Sequence, residues 1–516
     1  MARILLVEDD PDQLGVRRML LENAGHEVRT ATCADEARSK AAGSEVIVMD
    51  LLPGCDGLVA GLPESVRIIV LSGKEASEAV AARSACQLLK PCPTKTLMEA
   101  IARICSVLLI WIAAAAAQTF TVSKPAEVVA DLDMRAPDTN WSETGHEAAL
   151  ATVLLDGTPQ QNVMLYAGAR RFTYPVFLGR LAAGRHRLAV EGKGVELTGA
   201  RFKEDDSDYV RNAPVVYARA NTVGLHTDVP LILYCERLSE DGQPILRYTL
   251  IFSNEDGGTS TRALMARWGR TTDVEYVYKG VVEPGGTIQH AMIQTKNHKD
   301  AEFAGAREGS HPLLMPITDN NMIGEADTSV PIRYQIAPVL VDLSAHSREE
   351  VMDTHPISYK VMAQELVRED KLRPWGVVDG EKIGEPRNYL YFELQLGRLE
   401  SAVSALVRLK GGAQYYSSNI GRADYAISIA KRNPAESTFG FARTTVELPP
   451  GTRAGQIAEI GFQCVTAEKT LTGPCRVEAV TKAFFLDPEY RPGPAVWTMP
   501  RPVEIPAGQI WTSPLK

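Results

Sequence analysis

The opening ARILLVEDD is an apolar run that ends in acids, and DQLGVRRMLLENAG after it repeats its apolar positions at helical spacing before a closing Gly. The pattern predicts a strand followed by a helix. EVRTAT reads as a second strand, ADEARSKAAG as a second helix, and EVIVMD, RIIVLSG and QLLKP as three more strands. Strands alternating with helices predict a parallel, doubly wound α/β sheet whose ligands gather beyond the strand carboxyl ends. From Thr119 the texture changes. Alternating runs such as ATVLLDG, PLILYCERL, LRYTLIFSNEDGG, TDVEYVYKG and YLYFELQLG are separated by Gly, Pro, Asn and Asp turns, which predicts antiparallel β-sandwiches. In this long remainder only SREEVMD and YKVMAQELVREDKL, the latter stopped by Pro374, carry helical spacing.

The predicted strand ends of the first hundred residues carry a distinctive set of side chains. Glu8, Asp9 and Asp10 follow the first strand, Asp50 the third, Ser72 the fourth, and Lys90 the fifth. Clustered carboxylates repel one another unless a cation offsets them, and Mg²⁺ favours carboxylate oxygens together with a phosphate ligand. One carboxylate can then attack a phosphoryl group while the metal, the lysine and the hydroxyl stabilise the transferred oxygens. The motifs VEDD, VMDLLPGCDG, VLSG and LLKP resemble the receiver domain of bacterial two-component response regulators, over residues 1–103. The resemblance implies a flavodoxin-like fold. It implies Asp50 as phosphoacceptor, Glu8, Asp9 and Asp50 as ligands of Mg²⁺, and Ser72 and Lys90 as phosphate contacts. It also implies a sensor histidine kinase or phosphotransfer protein as partner. The sequence departs from the family at three places: Pro53 comes three residues after Asp50, Gln87 holds the position of the switch aromatic, and the third and fourth crossovers are short. A shrunken receiver accounts for all three.

Between the two textures lies ARICSVLLIWIAAAAAQTF, in which Ser106 is the only polar side chain from Ile104 to Ala117. A helix of that length rises about 21 Å, short of the roughly 30 Å hydrocarbon core. A positive residue, an apolar core and a run of small residues match the parts of an export signal. Three readings stay open for segment 104–118: a membrane anchor through residues 104–117, the signal peptide of a separate secreted protein starting at Met98, or a buried fifth helix with an alanine linker. The first keeps the receiver cytoplasmic and the β region tethered, periplasmic or secreted. Cysteine usage agrees with a change of compartment. Cys33, Cys55, Cys86, Cys92 and Cys105 show no metal spacing, whereas Cys464 and Cys475 flank a short loop that a disulfide can close.

At 516 residues the chain exceeds one hydrophobic core. We expect a multidomain protein, with the receiver and the segment followed by a small β-sandwich module over 119–205 and a larger β-sandwich-rich domain over 206–516. A formal charge of −9 without a Lys/Arg cluster argues against nucleic acid as partner. Residues 119–205 resemble the sandwich modules of secreted carbohydrate-active proteins, in which Trp141, Tyr166 and Tyr174 either stack on sugars or fill the core. In GRTTDVEYVY, alternation puts Asp273 and Glu275 on one strand face, as a hard-metal site or, the favoured expectation, a solvated face. With Gly269 they resemble the G-x-x-x-D-W-E signature of necrosis-inducing and vacuolar-sorting-type sandwich proteins, and GSHP at 309–312 resembles a second piece of the latter, although Arg270 and Thr272 replace that family's histidines. Asn254, Glu255 and Asp256 read as a turn before a calcium loop. No G-x-S-x-G, H-E-x-x-H or Walker motif is present, and the chain is not expected to be an enzyme. The first reading is therefore a phosphorelay receiver fused to an exported or tethered β region. The alternative is a secreted β-sandwich protein binding carbohydrate, its receiver vestigial or joined by artefact.

Overall fold

Five short apolar runs build the amino-terminal sheet of the computed structural model. They are β1 (Arg3–Val7), β2 (Glu27–Ala31), β3 (Val46–Met49), β4 (Arg67–Ser72) and β5 (Ser84–Leu89), and they pair in the order β2-β1-β3-β4-β5, all parallel. This is the flavodoxin-like order expected of a doubly wound sheet. Successive residues point to opposite faces. Leu5, Val7, Ile47, Met49, Ile68 and Val70 pack on Ala34, Ala37 and Leu58, which belong to α2 (Ala34–Lys40) and α3 (Cys55–Ala60). Ile4, Leu6, Val48, Ile69 and Leu71 cover Leu21 of α1 (Pro11–Asn23) together with Leu97, Ala100 and Ile101. The fourth crossover is tighter than expected. β5 begins at Ser84, ahead of the QLLKP run, because α4 (Glu78–Arg83) leads straight into it.

The structure describes every residue except 1, 64–65, 75, 91, 93–95, 99, 102–116, 256, 329, 400, 429–439, 467–472 and 516. The apolar segment at 104–117 lies outside the described residues up to Ala117, as do Cys105 and Asp256. Among the described residues no helix is long and apolar enough to cross a membrane.

From Gln118 onward the chain folds into sheets, as the alternation predicts. The strands β6 (Gln118–Val122), β7 (Ala126–Arg135), β8 (Leu150–Leu155), β9 (Thr158–Met164), β10 (Phe172–Leu181), β11 (Gly184–Glu191) and β12 (Glu196–Glu204) form two facing sheets, β10-β7-β12 and β6-β11-β8-β9. Trp141, Tyr166 and Tyr174 belong to the core between and beside them. A second group comprises β13 (Val215–Tyr217), β14 (Pro230–Glu240), β15 (Gln243–Phe252), β16 (Asp273–Val282), β17 (Ile288–Thr295) and β18 (Lys299–Glu302). Here a sheet ordered β18-β17-β16-β15-β14 continues into Val339–Val341 and packs its Leu233, Leu246, Tyr248 and Val277 against Val215 and Leu314. A third pair of sheets, over 389–514, encloses Phe392, Val403, Phe462 and Val477. Cys464 and Cys475 form a disulfide there, with Cα atoms 5.6 Å apart. The two anticipated helices appear as Glu350–Thr354 and Ile357–Arg368. α1 touches the first sandwich: the Lys193 amide donates to Asn23 Oδ1 (3.3 Å), and Val16 is buried in the same cluster as Val223.

Of the helices in the β region that the spacing did not anticipate, the longest among the described residues is Thr261–Trp268. Ser260 caps it and Gly269 ends it in the left-handed region at φ +65°. A Cβ at position 269 would meet Thr445 Cγ2 at 2.8 Å, so the helix seats directly on the third pair of sheets. There the Thr445 hydroxyl donates to the Met265 carbonyl (2.7 Å). Beside this contact the fully buried Arg443 donates to Asp353 (2.8 and 2.9 Å) and to Glu393 (2.8 Å). Removing the cation strands two buried carboxylates, which costs about 3–5 kcal/mol. Arg443→Met is therefore expected to lower the thermal unfolding midpoint by several degrees, and differential scanning calorimetry of the full chain checks it.

Candidate functional site

The carboxyl edge of the parallel sheet gathers most of the side chains named from the sequence. Glu8 follows β1 and is almost wholly buried, Asp9 beside it is exposed, and Asp50 at the end of β3 lies between them in exposure. One carboxylate oxygen from each of the three lies within 4.8 Å of the others. Lys90, just past β5, reaches the same point: its Nζ donates to Asp50 Oδ2 (2.7 Å) and to Glu8 Oε2 (3.0 Å) and Oε1 (3.3 Å). Ser72 is buried at the end of β4, where its Oγ accepts the Lys74 amide (3.3 Å) and its hydroxyl favours the Asp50 carboxylate. Burial pushes the Asp50 carboxyl up, but Lys90, the Leu51 amide (2.7 Å) and the Ser72 hydroxyl outweigh it and hold the group below its ordinary value.

Two details depart from the sequence reading. Asp10 does not join the cluster. Its Oδ1 accepts the amides of Asp12 (2.9 Å) and Gln13 (3.2 Å) and caps α1, where Pro11 takes the first helical position. Arg17, which no motif singled out, extends from the second turn of α1 to form an ion pair with Glu8 and also donates to Gln13 Oε1 (3.1 Å). The loop after Asp50 turns tightly, with the Cys55 amide donating to the Leu52 carbonyl (3.2 Å). Gln87 is exposed and donates to Ser84 Oγ (3.1 Å), with no aromatic side chain in its place. The three carboxylates fit a hard divalent cation by oxygen type and mutual distance.

Asp273 and Glu275 meet a different fate from the solvated face expected of them. Both project from β16 into a polar cavity and are buried, at 2% and 9% exposure. Val274 between them enters the core. Asp273 accepts the Val274 amide (2.9 Å) and the Asn321 side-chain nitrogen (3.0 Å). Glu255 lines the same cavity. Burial, reinforced by the charge of Asp273, pushes Glu255 up to about 7 and Glu275 well above the usual carboxylate range, and burial also raises Asp273. Among the described residues, the group of three acids whose oxygens lie close enough for one cation is Glu8, Asp9 and Asp50.

The remaining candidates are structural. Trp141, Tyr166 and Tyr174 have their rings in the core, and the Trp141 indole donates to Glu365, so none of them offers a face to a sugar. His311 of GSHP bonds the Ala213 carbonyl (2.8 Å) and stacks on Phe177, beside a separate cavity. The two pieces of the vacuolar-sorting resemblance therefore line different cavities.

No family model matches the chain, and the search of curated proteins finds no match. Among solved structures the chain is similar to a response regulator receiver domain protein from Clostridium thermocellum, at 24% identity over 20% of this chain and 95% of that one, with a TM-score of 0.19. A CheY-like receiver domain protein from Methanospirillum hungatei JF-1 matches at 25% identity over 20% and 95%, also at 0.19. A Thermotoga maritima response regulator solved in complex with Mg²⁺-BeF matches at 22% identity over 20% and 99%, at 0.18.

Because Asp50 titrates lower in the folded chain than in the unfolded one, it adds stability above its ordinary value of 3.8 that is lost as the pH falls through the folded value. In Lys90→Ala the main compensating cation is gone and burial remains. The Asp50 carboxyl is then expected to titrate above 3.8, which side-chain carboxyl NMR of the variant reads directly.

Proposed function

We propose that residues 1–103 act as a phosphoacceptor receiver, with Asp50 taking a phosphoryl group from a sensor histidine kinase or phosphotransfer protein. The observation that carries this reading is the Lys90 ammonium held between Asp50 and Glu8 at the carboxyl edge of a parallel sheet. An Asp50 oxygen forms the new bond to phosphorus as the donor's bond to the same phosphorus breaks, and the donor leaves with that electron pair. Asp50 suits the step because its carboxyl stays ionised. Lys90 stays within reach of the transferred oxygens, whose charge it offsets, and Ser72 offers a hydroxyl from the adjoining strand end. Mg²⁺, held by Glu8, Asp9 and Asp50, would supply further neutralisation of the phosphoryl oxygens. In the full chain, acetyl phosphate with Mg²⁺ is expected to label wild type and not Asp50→Asn, and label persisting in the variant refutes the assignment.

A second reading, a secreted β-sandwich protein, draws support from the Cys464–Cys475 bridge, because disulfides persist in oxidising compartments. Against a receiver left in another compartment stands the contact of α1 with the first sandwich. Amino-terminal sequencing of the mature protein separates the readings. A start at Gln118 or Thr119 in periplasm or medium supports export without the receiver; an intact amino terminus supports a chain that works as one piece.

A further inference from the structure

The cavity beside β16 holds charged side chains for which the receiver has no use. It measures about 730 Å³. Its walls come from β15 and β16, whose pairing shifts register between Tyr248 and Thr249, the kind of irregularity that re-aims side chains beside sites. Two buried groups on its wall each keep an unfilled hydrogen-bonding position. Glu275 Oε2 accepts from the Gln294 amide (3.0 Å) when that amide is turned to place its oxygen against His298 Nδ1 (2.9 Å), while Glu275 Oε1 has no partner among the described residues. Arg270, 3% exposed, donates through Nε to Glu349 (3.1 Å) and through Nη1 to the Thr272 carbonyl, and its Nη2 has no partner among the described residues. An acceptor on a side chain that is 12% exposed and a donor on one that is 3% exposed thus line one cavity. Both positions face the cavity and are open to a ligand that completes them.

The chemistry of the wall narrows that ligand. Among the described residues lining the cavity, six are Asp or Glu and four are Arg or Lys, which disfavours an anion. Arg270 and Arg348 disfavour an organic cation, and the spacing of Glu255, Asp273 and Glu275 does not suit a bare metal ion. Hydroxyl groups answer both open positions at once, donating to a carboxylate and accepting from a guanidinium. Trp268 and Tyr276 add aromatic surface to the same wall.

We propose that this cavity binds a neutral sugar, a pyranose whose hydroxyls pair with Glu275 Oε1 and Arg270 Nη2 and whose apolar face lies against Trp268. Burial raises Glu255, to about 7, and Glu275, which favours the protonated forms that donate as well as accept. The inference is independent of Asp50 and gives the second reading its ligand class.

The test is calorimetric titration of the full chain with neutral gluco-, xylo-, manno- and galacto-oligosaccharides, alongside uronate oligosaccharides and inorganic phosphate. At least one neutral series is expected to bind saturably. Glu275→Gln, which keeps the shape of the side chain, should weaken that binding about tenfold or more, a change of about 1.4 kcal/mol, with an unchanged thermal midpoint. His298→Ala, at a more exposed position on the wall, gives a second reading of the same surface, and a several-fold loss is expected. Asp50→Asn should bind as wild type does, so that failure of the receiver assignment leaves this result intact. Absence of binding by all four neutral series, undiminished binding by both cavity variants, or binding of uronate or phosphate alone overturns the proposal.

Discussion

A single ammonium group lying between two carboxylates sets the terms for the amino-terminal site. Lys90 can reach Glu8 and Asp50 together only because β5, β4, β3 and β1 run parallel and end at the same rim. The sheet order is thus a precondition of the chemistry. Without the cation, the buried Glu8 would face Asp50 across a few ångströms with Arg17 as its remaining counter-charge, and the repulsion would be paid in the stability of the fold. Fold and site are therefore held by the same contact.

The chain contains a second crowd of three carboxylates, and it resolves the same electrostatic problem differently. At the carboxyl rim of the parallel sheet, Lys90 helps hold the Asp50 carboxyl below its ordinary value, and Lys90 and Arg17 pair with Glu8. In the cavity beside β16 no lysine reaches between Glu255, Asp273 and Glu275 in this way. The nearby Arg270 is itself engaged with Glu349, and burial moves the balance toward protonated acids. One site sets its acids against cations, the other buries its acids in a polar cavity.

Much of the first site was legible because periodicity and strand-end chemistry are local properties. The runs at 3–7, 46–49, 67–72 and 84–89 are strands, and Glu8, Asp50 and Lys90 each follow one directly while Ser72 ends one, so the parallel topology alone brings them together. Asp10 was misplaced with them for a reason equally local: an acid followed by Pro11 is a helix cap, and capping won over the cluster. Arg17 was illegible because its role depends on how α1 leans over the sheet. The β region was legible as sheets, and its disulfide as an option. The number of sheet pairs and the burial of Asp273 and Glu275 were not. Alternation says that two side chains share a face, but whether that face meets water depends on distant residues such as Glu255, Trp268, Ser347 and Glu349 that line the same cavity. Ser260 and Gly269 did mark that helix, and their capping spacing was the available signal.

The direct passage of α4 into β5 gives the amino-terminal domain an unusual mechanical connection. β5 is an edge strand with β4 as its sheet neighbour, and Lys90 lies past one end of it while the helix is joined rigidly to the other. Because Ser84 is both the cap of α4 and the first residue of β5, the helix and the strand that leads to Lys90 form one continuous stretch with no residue between them.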